Sequence, residues 1–338
     1  MTDPLGTDSG ARARIHWLDV ASARLQRASS FYRRGWGDRS AFDVFWEEVR
    51  HRREPTALTP ALKRRRFPVL GVLGARAYEG EFPSPASFLP REAARARVRV
   101  YLPAPRDRVR GVCVHLGALG EQTFARREWL ARELVKSGIG AVLLETPYHG
   151  SRRPVIERDG GIHSVAEQML LGAAIVAESA ALLGWLRADG YRVAVSGFSM
   201  GGSFAAYTAV RLPWPIDLVA AGMPMSGSHV AAQGLLRRLV CWEALGGAHD
   251  GPTALTRAFD SVALHHLGPP VDASRAHFIG FRRDGIVPAE SVRALQAHWP
   301  GSRISWIDPG HVLGFLRSHH ALADGIHGAF ARADQEPG

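Results

Sequence analysis

Residues 193–203, Val-Ala-Val-Ser-Gly-Phe-Ser-Met-Gly-Gly-Ser, hold the residue types and spacing best suited to covalent chemistry. Val193, Ala194 and Val195 predict the end of a buried strand, and residues 203–211 predict the helix that follows. Between them, Gly197-Phe198-Ser199-Met200-Gly201 fits the pattern G-x-S-x-G, which in a strand–turn–helix context marks a nucleophile elbow. Such a turn holds its serine in a strained backbone conformation and presents Oγ at the carboxyl end of the strand. The residues two before and two after must be tiny, so that strand and helix can approach closely. Gly197 and Gly201 meet that need, and Gly202 adds slack. In a chain with 36 glycines the pattern alone also fits an ordinary strand-to-helix turn; the flanking elements favour the nucleophile.

A serine hydroxyl is a weak nucleophile until a base takes its proton. In folds built around this elbow the chain order is serine, acid, histidine. Of 15 histidines, His311 is the candidate base, because it follows the strand Ile-Ser-Trp-Ile-Asp and the turn Pro309-Gly310 ahead of a helix. His265-His266 and His319-His320 lie in helical patterns, where solvated or structural roles are commoner. For the acid, the loop after the strand near 218–224 reads Met-Pro-Met-Ser-Gly-Ser-His-Val and offers no carboxylate. The loop after the strand near 276–281 offers Asp284, which could also be a plain turn residue beside Arg283; Asp308 is the fallback. Asp284 would fix the tautomer of His311 and stabilise its imidazolium. The oxyanion needs two backbone amides. One is expected from Met200, at the start of the helix after the elbow, and the other from Ala118 or Leu119, which the sequence does not separate.

These groups meet only if strands deliver them to one edge. Residues 94–102 alternate Arg95, Arg97 and Arg99 against Ala96, Val98 and Val100, a half-buried strand near a sheet edge. Apolar strands follow at 111–116, 141–145, 193–198, 218–224, 276–281 and 303–307. Helices lie between them at 124–137, 164–188, 200–211 and 289–298, with a last helix near 315–331. Strands alternating with helices imply a mostly parallel sheet covered on both faces, with functional groups at the strand carboxyl ends. The elbow after the third apolar strand makes this the α/β-hydrolase arrangement. Before it, 15–31 (stripe Leu18, Ala21, Leu25, Ala28) and 40–52 (stripe Phe42, Phe45, Trp46, Val49) predict helices. They suit cover for one edge of the domain better than a basic amphipathic membrane foot. Residues 1–12 are expected to be disordered, and Lys63-Arg64-Arg65-Arg66 to form a solvated face. The division is then 1–92, a helical extension with the start of the sheet, and 93–332, the core, with a small helical cap insertion at about 229–268.

At 338 residues and 46% hydrophobic composition the chain can bury a large core. Its net charge is +10, and with lysines only at 63 and 136 the basic residues are nearly all arginine. Spread this evenly and without a recognition motif, the excess argues against nucleic acid as a partner, while it would draw the protein to anionic membrane surfaces. Cys113 and Cys241 make no disulfide framework, and the first residues show no apolar leader, so the expected compartment is the reducing cytoplasm. Residues 168–186 are apolar enough to suggest a membrane span, but Glu178 at their centre favours a buried helix. No metal-ligand spacing or nucleotide-type glycine loop occurs, so neither metal nor cofactor is expected.

The chain resembles the family of α/β-hydrolase domain-containing protein eighteen. The resemblance rests on Arg34-Gly35-Trp36-Gly37, His115-Leu116, Leu144-Glu145-Thr146-Pro147-Tyr148-His149-Gly150, Glu178-Ser179-Ala180-Ala181-Leu182-Leu183, Ser199-Met200-Gly201-Gly202, Trp299-Pro300-Gly301 and Gly310-His311. It implies an α/β-hydrolase fold with Ser199, Asp284 and His311 as nucleophile, acid and base. It also implies cleavage of lipid esters, with phospholipids such as cardiolipin as the class. The loop Gly117–Gln122 matches the family's glycine loop only loosely, and the segment before Asp284 is shorter than in animal members.

The leading expectation is therefore a serine esterase acting through an acyl-enzyme. Leu235, Leu236, Leu239, Val240, Trp242 and Leu245 would form either an apolar lid or ordinary core, and Arg152, Arg153, Arg237 and Arg238 a basic rim for phosphate. The alternatives are a soluble small-ester hydrolase or peptidase with the same triad, and a hydrolase-shaped binding scaffold without turnover.

Overall fold

The structure is a computed structural model describing residues 14–25, 31–65, 75–154 and 161–333. The expected disorder at 1–12, and Ala28 and Arg66, lie outside these residues. Among the described residues nine strands form one sheet: β1 (Ala61–Arg65), β2 (Ala75–Pro83), β3 (Arg95–Pro103), β4 (Gly111–Leu116), β5 (Ile139–Leu144), β6 (Val193–Phe198), β7 (Asp217–Ala221), β8 (Ala276–Phe281) and β9 (Arg303–Ile307). Their spatial order is β1-β2-β3-β5-β4-β6-β7-β8-β9. The pairings from β5 through β9 are parallel, and those of β1 with β2, β2 with β3 and β3 with β5 are antiparallel.

The helices are α1 (Trp17–Leu25), α2 (Ser40–Val49), α3 (Arg127–Lys136), α4 (Val165–Ala188), α5 (Met200–Arg211), α6 (Gly247–Asp260), α7 (Ala289–His298) and α8 (His311–Ala333). Every residue of β4, β5 and β6 is buried, because helices cover both faces of the sheet. Alternate side chains of a strand point to opposite faces, which divides the core in two. Val112, Val114 and Val195 join Phe45, Val49, Leu182, Leu183, Ala205, Val292 and Leu295 from α2, α4, α5 and α7. Cys113, Leu143 and Ala194 join Leu130, Leu134, Leu322, Ile326 and Phe330 from α3 and α8 on the other face. Burial pushes the Cys113 thiol up to about 12, so it is an inert part of that packing.

Two of these elements differ from expectation. β3 does not lie near the edge: β2 and β1 extend the sheet beyond it. The arginine side of β3 is stabilised across the register, where Arg99 Nε donates to Glu79 Oε1 at 3.2 Å and Arg95 Nε to Glu81 Oε2 at 3.3 Å. Lys63, Arg64 and Arg65 are exposed as expected, on β1. The apolar stripe assigned to α1 is not its inner face: Leu25 is exposed and Leu18 and Ala21 are only half-buried, while Asp19 and Ala23 are buried. α1 packs on α8 and on the short turn Leu235–Leu239. The buried face of α2 is as read, with Phe45 and Val49 inside.

α4 is the one helix among the described residues long and apolar enough to cross a membrane, and it lies buried between the sheet and α2. Its Glu178, fully buried, receives a two-pronged donation from Arg152, Nη1 to Oε2 at 2.8 Å and Nη2 to Oε1 at 2.5 Å. Arg152 also donates to the carbonyls of Ala93 and Glu145, at 2.6 and 2.7 Å. Arg152 is therefore no part of a basic rim; it is a buried cation whose donors are spent inside. Breaking such a pair leaves a desolvated charge, costing about 3–5 kcal/mol, whereas replacing both partners with apolar groups is often neutral. Glu178→Ala should accordingly lower unfolding free energy by about 3–5 kcal/mol, and Arg152→Met with Glu178→Leu should recover most of it, as measured by urea denaturation.

Candidate active site

β6 ends at Phe198, α5 begins at Met200, and Ser199 between them has φ 54° and ψ −120°. A side-chain-bearing residue avoids this region unless its surroundings enforce it. Here the Ser199 amide donates to the carbonyl of Ala221 on β7 at 2.8 Å. The glycine requirement is steric: a Cβ on Gly197 would lie 2.2 Å from the carbonyl carbon of Gly201, and one on Gly201 would lie 2.5 Å from the Leu116 oxygen.

Asp284 follows β8, and His311 follows β9 as the first residue of α8, four residues earlier than the sequence suggested. Their loops meet at the elbow. His311 Nδ1 lies 2.7 Å from Asp284 Oδ2, and His311 Nε2 lies 3.0 Å from Ser199 Oγ. An ionised carboxylate only accepts hydrogen bonds, so Nδ1 carries the proton and Nε2 is left to accept from the serine hydroxyl. The other oxygen of Asp284 accepts from the amides of Ile286 and Val287, at 2.7 and 2.8 Å. Asp284 is thus both the turn residue and the partner of the histidine. The imidazole is packed by Phe198, 4.9 Å between ring centroids, which limits its rotation. Asp308 is exposed.

The loop after β4 narrows the choice of oxyanion donor. The Ala118 amide is occupied, donating to Glu121 Oε2 at 2.7 Å, so Ala118 drops out. The Gly120 amide donates to His149 Nε2 at 3.3 Å. His149 can accept there because its Nδ1–H donates to the Pro147 carbonyl at 2.9 Å, and because burial holds its pKa below the ordinary value, favouring the neutral ring. The amide of Leu119 has no partner among the described residues. Leu119 lines the same cavity as Ser199 and Met200.

That cavity, of about 120 Å³, has Ser199 in its wall. Its walls are mostly apolar, with Phe45, Ile162, Met169, Phe204, Phe259 and Val262 prominent. Of the segment expected to be lid or core, Leu236 lines the cavity, whereas Leu239, Val240 and Leu245 are buried core. Among the described residues no cluster of three or more metal-ligating side chains occurs. One residue near the triad had no signal in the sequence. Asp19, on α1, accepts from the amides of Gly285, His311 and Val312 at 2.9, 2.8 and 2.8 Å. Only the fold brings it there.

The family model for "Alpha/beta hydrolase domain containing 18" matches residues 29–253 and 251–332. The chain belongs to that family. Its fold is the α/β-hydrolase fold, and similar solved structures include acetyl xylan esterase 1 from Thermoanaerobacterium sp. JW/SL YS485, at 16% identity and TM-score 0.59 over 90% of this chain and 98% of that one. The acetyl xylan esterase from Paenibacillus sp. R4 is similar at 15% identity and TM-score 0.57, over 86% and 97%. Esterase Est22 is similar at 16% and 0.51, over 77% and 83%.

The elbow's steric demand is open to a stability measurement. Gly201→Ala should destabilise this hydrolase-family chain by at least about 3 kcal/mol, because the clash is with backbone that cannot yield. Gly268→Ala is the control, since nothing lies within 4 Å of its added methyl. Thermal unfolding of the two variants should separate them clearly.

Proposed function

We propose that this protein is a serine hydrolase that cleaves carboxylic esters bearing an apolar acyl group, lipid esters being the favoured class. One observation carries the reading: a serine hydroxyl at a strained elbow, 3.0 Å from an imidazole nitrogen, faces a cavity with apolar walls. Membership of an α/β-hydrolase family supports it. The acyl chain enters the cavity and leaves its carbonyl carbon at Ser199 Oγ. His311 Nε2 takes the hydroxyl proton as Oγ attacks, and the carbonyl oxygen becomes an oxyanion facing the amides of Met200 and Leu119. Asp284 stabilises the imidazolium that forms. The imidazolium then protonates the departing alkoxide, leaving an acyl-serine. Water, deprotonated by the same nitrogen, attacks that ester and restores Ser199.

Volume bears on the substrate. A cavity of about 150 Å³ holds one benzene ring, so 120 Å³ takes roughly the first four or five carbons of an acyl chain. A longer chain would continue outside, past Leu236. The exposed Arg237 and Arg238 adjoin Leu236 and offer cations for a phosphate head group. Arg152 offers none.

Ser199→Ala should lower kcat by at least about 10⁴-fold and abolish labelling by a fluorophosphonate probe, and Asp284→Asn should lower kcat by about 10⁴-fold through the wrong tautomer. Labelling that persists in Ser199→Ala would reject the scheme. On p-nitrophenyl esters, kcat/KM should rise from acetate to hexanoate and gain little beyond octanoate. A preference for acetate over hexanoate would overturn the apolar-acyl reading.

A further inference from the structure

Helix α1 stands outside the alternating strand–helix core, yet its buried face meets the two loops that carry the acid and the base. Asp19 is fully buried there. Its Oδ2 accepts from the Gly285 amide, adjacent to Asp284, and from the His311 amide, while Oδ1 accepts from the Val312 amide. The first amides of a helix have no partner within it, and they normally take one from a side chain at the residue just before. Before α8 that residue is Gly310, which has no side chain to offer. Asp19 supplies the cap from 292 positions away. Gly310 is also what admits it: a Cβ there would lie 2.6 Å from Asp19 Oδ2 and 2.4 Å from His16 Cβ.

Further contacts fasten the same elements. The His16 amide donates to the Arg283 carbonyl at 2.9 Å, and Arg283 Nε donates to the Arg14 carbonyl at 3.2 Å. Residues 14–19 therefore bind both sides of Asp284 as well as the backbone of His311. A carboxylate at a helix N-terminus also suits the dipole there, and hydrogen bonds to a charged acceptor are the stronger kind.

We propose that Asp19 is a positioning residue that holds Asp284 and His311 in register with each other and with Ser199. It touches neither substrate nor reacting atoms; one carboxylate spans both loops and sets their separation. The proposal rests on the ester-hydrolase reading above for its kinetic consequences, but not for its structural ones.

The test uses the full chain, comparing wild type with Asp19→Asn and Gly310→Ala. Asparagine keeps the shape but replaces one acceptor oxygen with a donor that faces an amide. Gly310→Ala leaves Asp19 intact and pushes it away. In both, kcat per fluorophosphonate-titrated site on p-nitrophenyl hexanoate should fall by about 10- to 100-fold, with KM within twofold of wild type. The downfield proton resonance of His311 Nδ1–H should weaken or vanish. If Asp19→Asn does not fold, Gly310→Ala decides by the same readings. Loss of titratable enzyme with wild-type kcat per site would reduce Asp19 to a fold-stabilising group and overturn the proposal. If wild type shows no turnover, the hydrolase reading fails separately. The resonance then decides alone: retained in the variants, it overturns the role of Asp19, and lost, it supports it.

Discussion

A serine held at φ 54° is a conformation the backbone would leave if it could. It stays because β6 and α5 are pressed together at Gly197 and Gly201, and because its amide is tied to β7. Relaxing either would withdraw the hydroxyl from His311, 3.0 Å away. The parallel strands, the two covering layers and the late loops all matter to function through this point. They bring an imidazole and a carboxylate from much later in the sequence to where the strained turn offers its oxygen.

The parts governed by local sterics were legible in the sequence. Gly197 and Gly201 signal the elbow because no other residue fits the approach, and unbroken apolar runs signal doubly covered strands. Asp284 and His311 could be picked out by their positions after strand ends, and the fold brings the two together beside Ser199. What depends on pairing across the fold was not legible. The arginines of β3 look like an edge until the glutamates of β2 stand opposite them. Arg152 looks like a surface cation until Glu178 is seen against it. Asp19 carries no motif, and the helical periodicity of its neighbours pointed to the wrong face of α1.

The buried arginines change how the net charge of +10 should be understood. Arg152 spends its donors on the Ala93 and Glu145 carbonyls and the Glu178 carboxylate, and Arg127 Nη1 donates to the Leu144 carbonyl while its guanidinium pairs with Glu121. They act as cross-braces between β5, the loops at the strand ends and the helices. A surplus of arginine thus does not translate directly into a charged exterior, because the guanidinium fork can satisfy several buried acceptors at once.

The span from Asp19 to His311 also sets an order of completion during synthesis. A chain that has emerged as far as β7 already has the contacts that hold Ser199 in its turn, but His311 lies more than a hundred residues beyond Ser199. The Asp19 clamp can close only when the start of α8 is available, and such distant contacts are the slow ones to form. A molecule that stops short of α8 would hold Ser199 without an imidazole beside it, and the proposed hydrolysis could not begin.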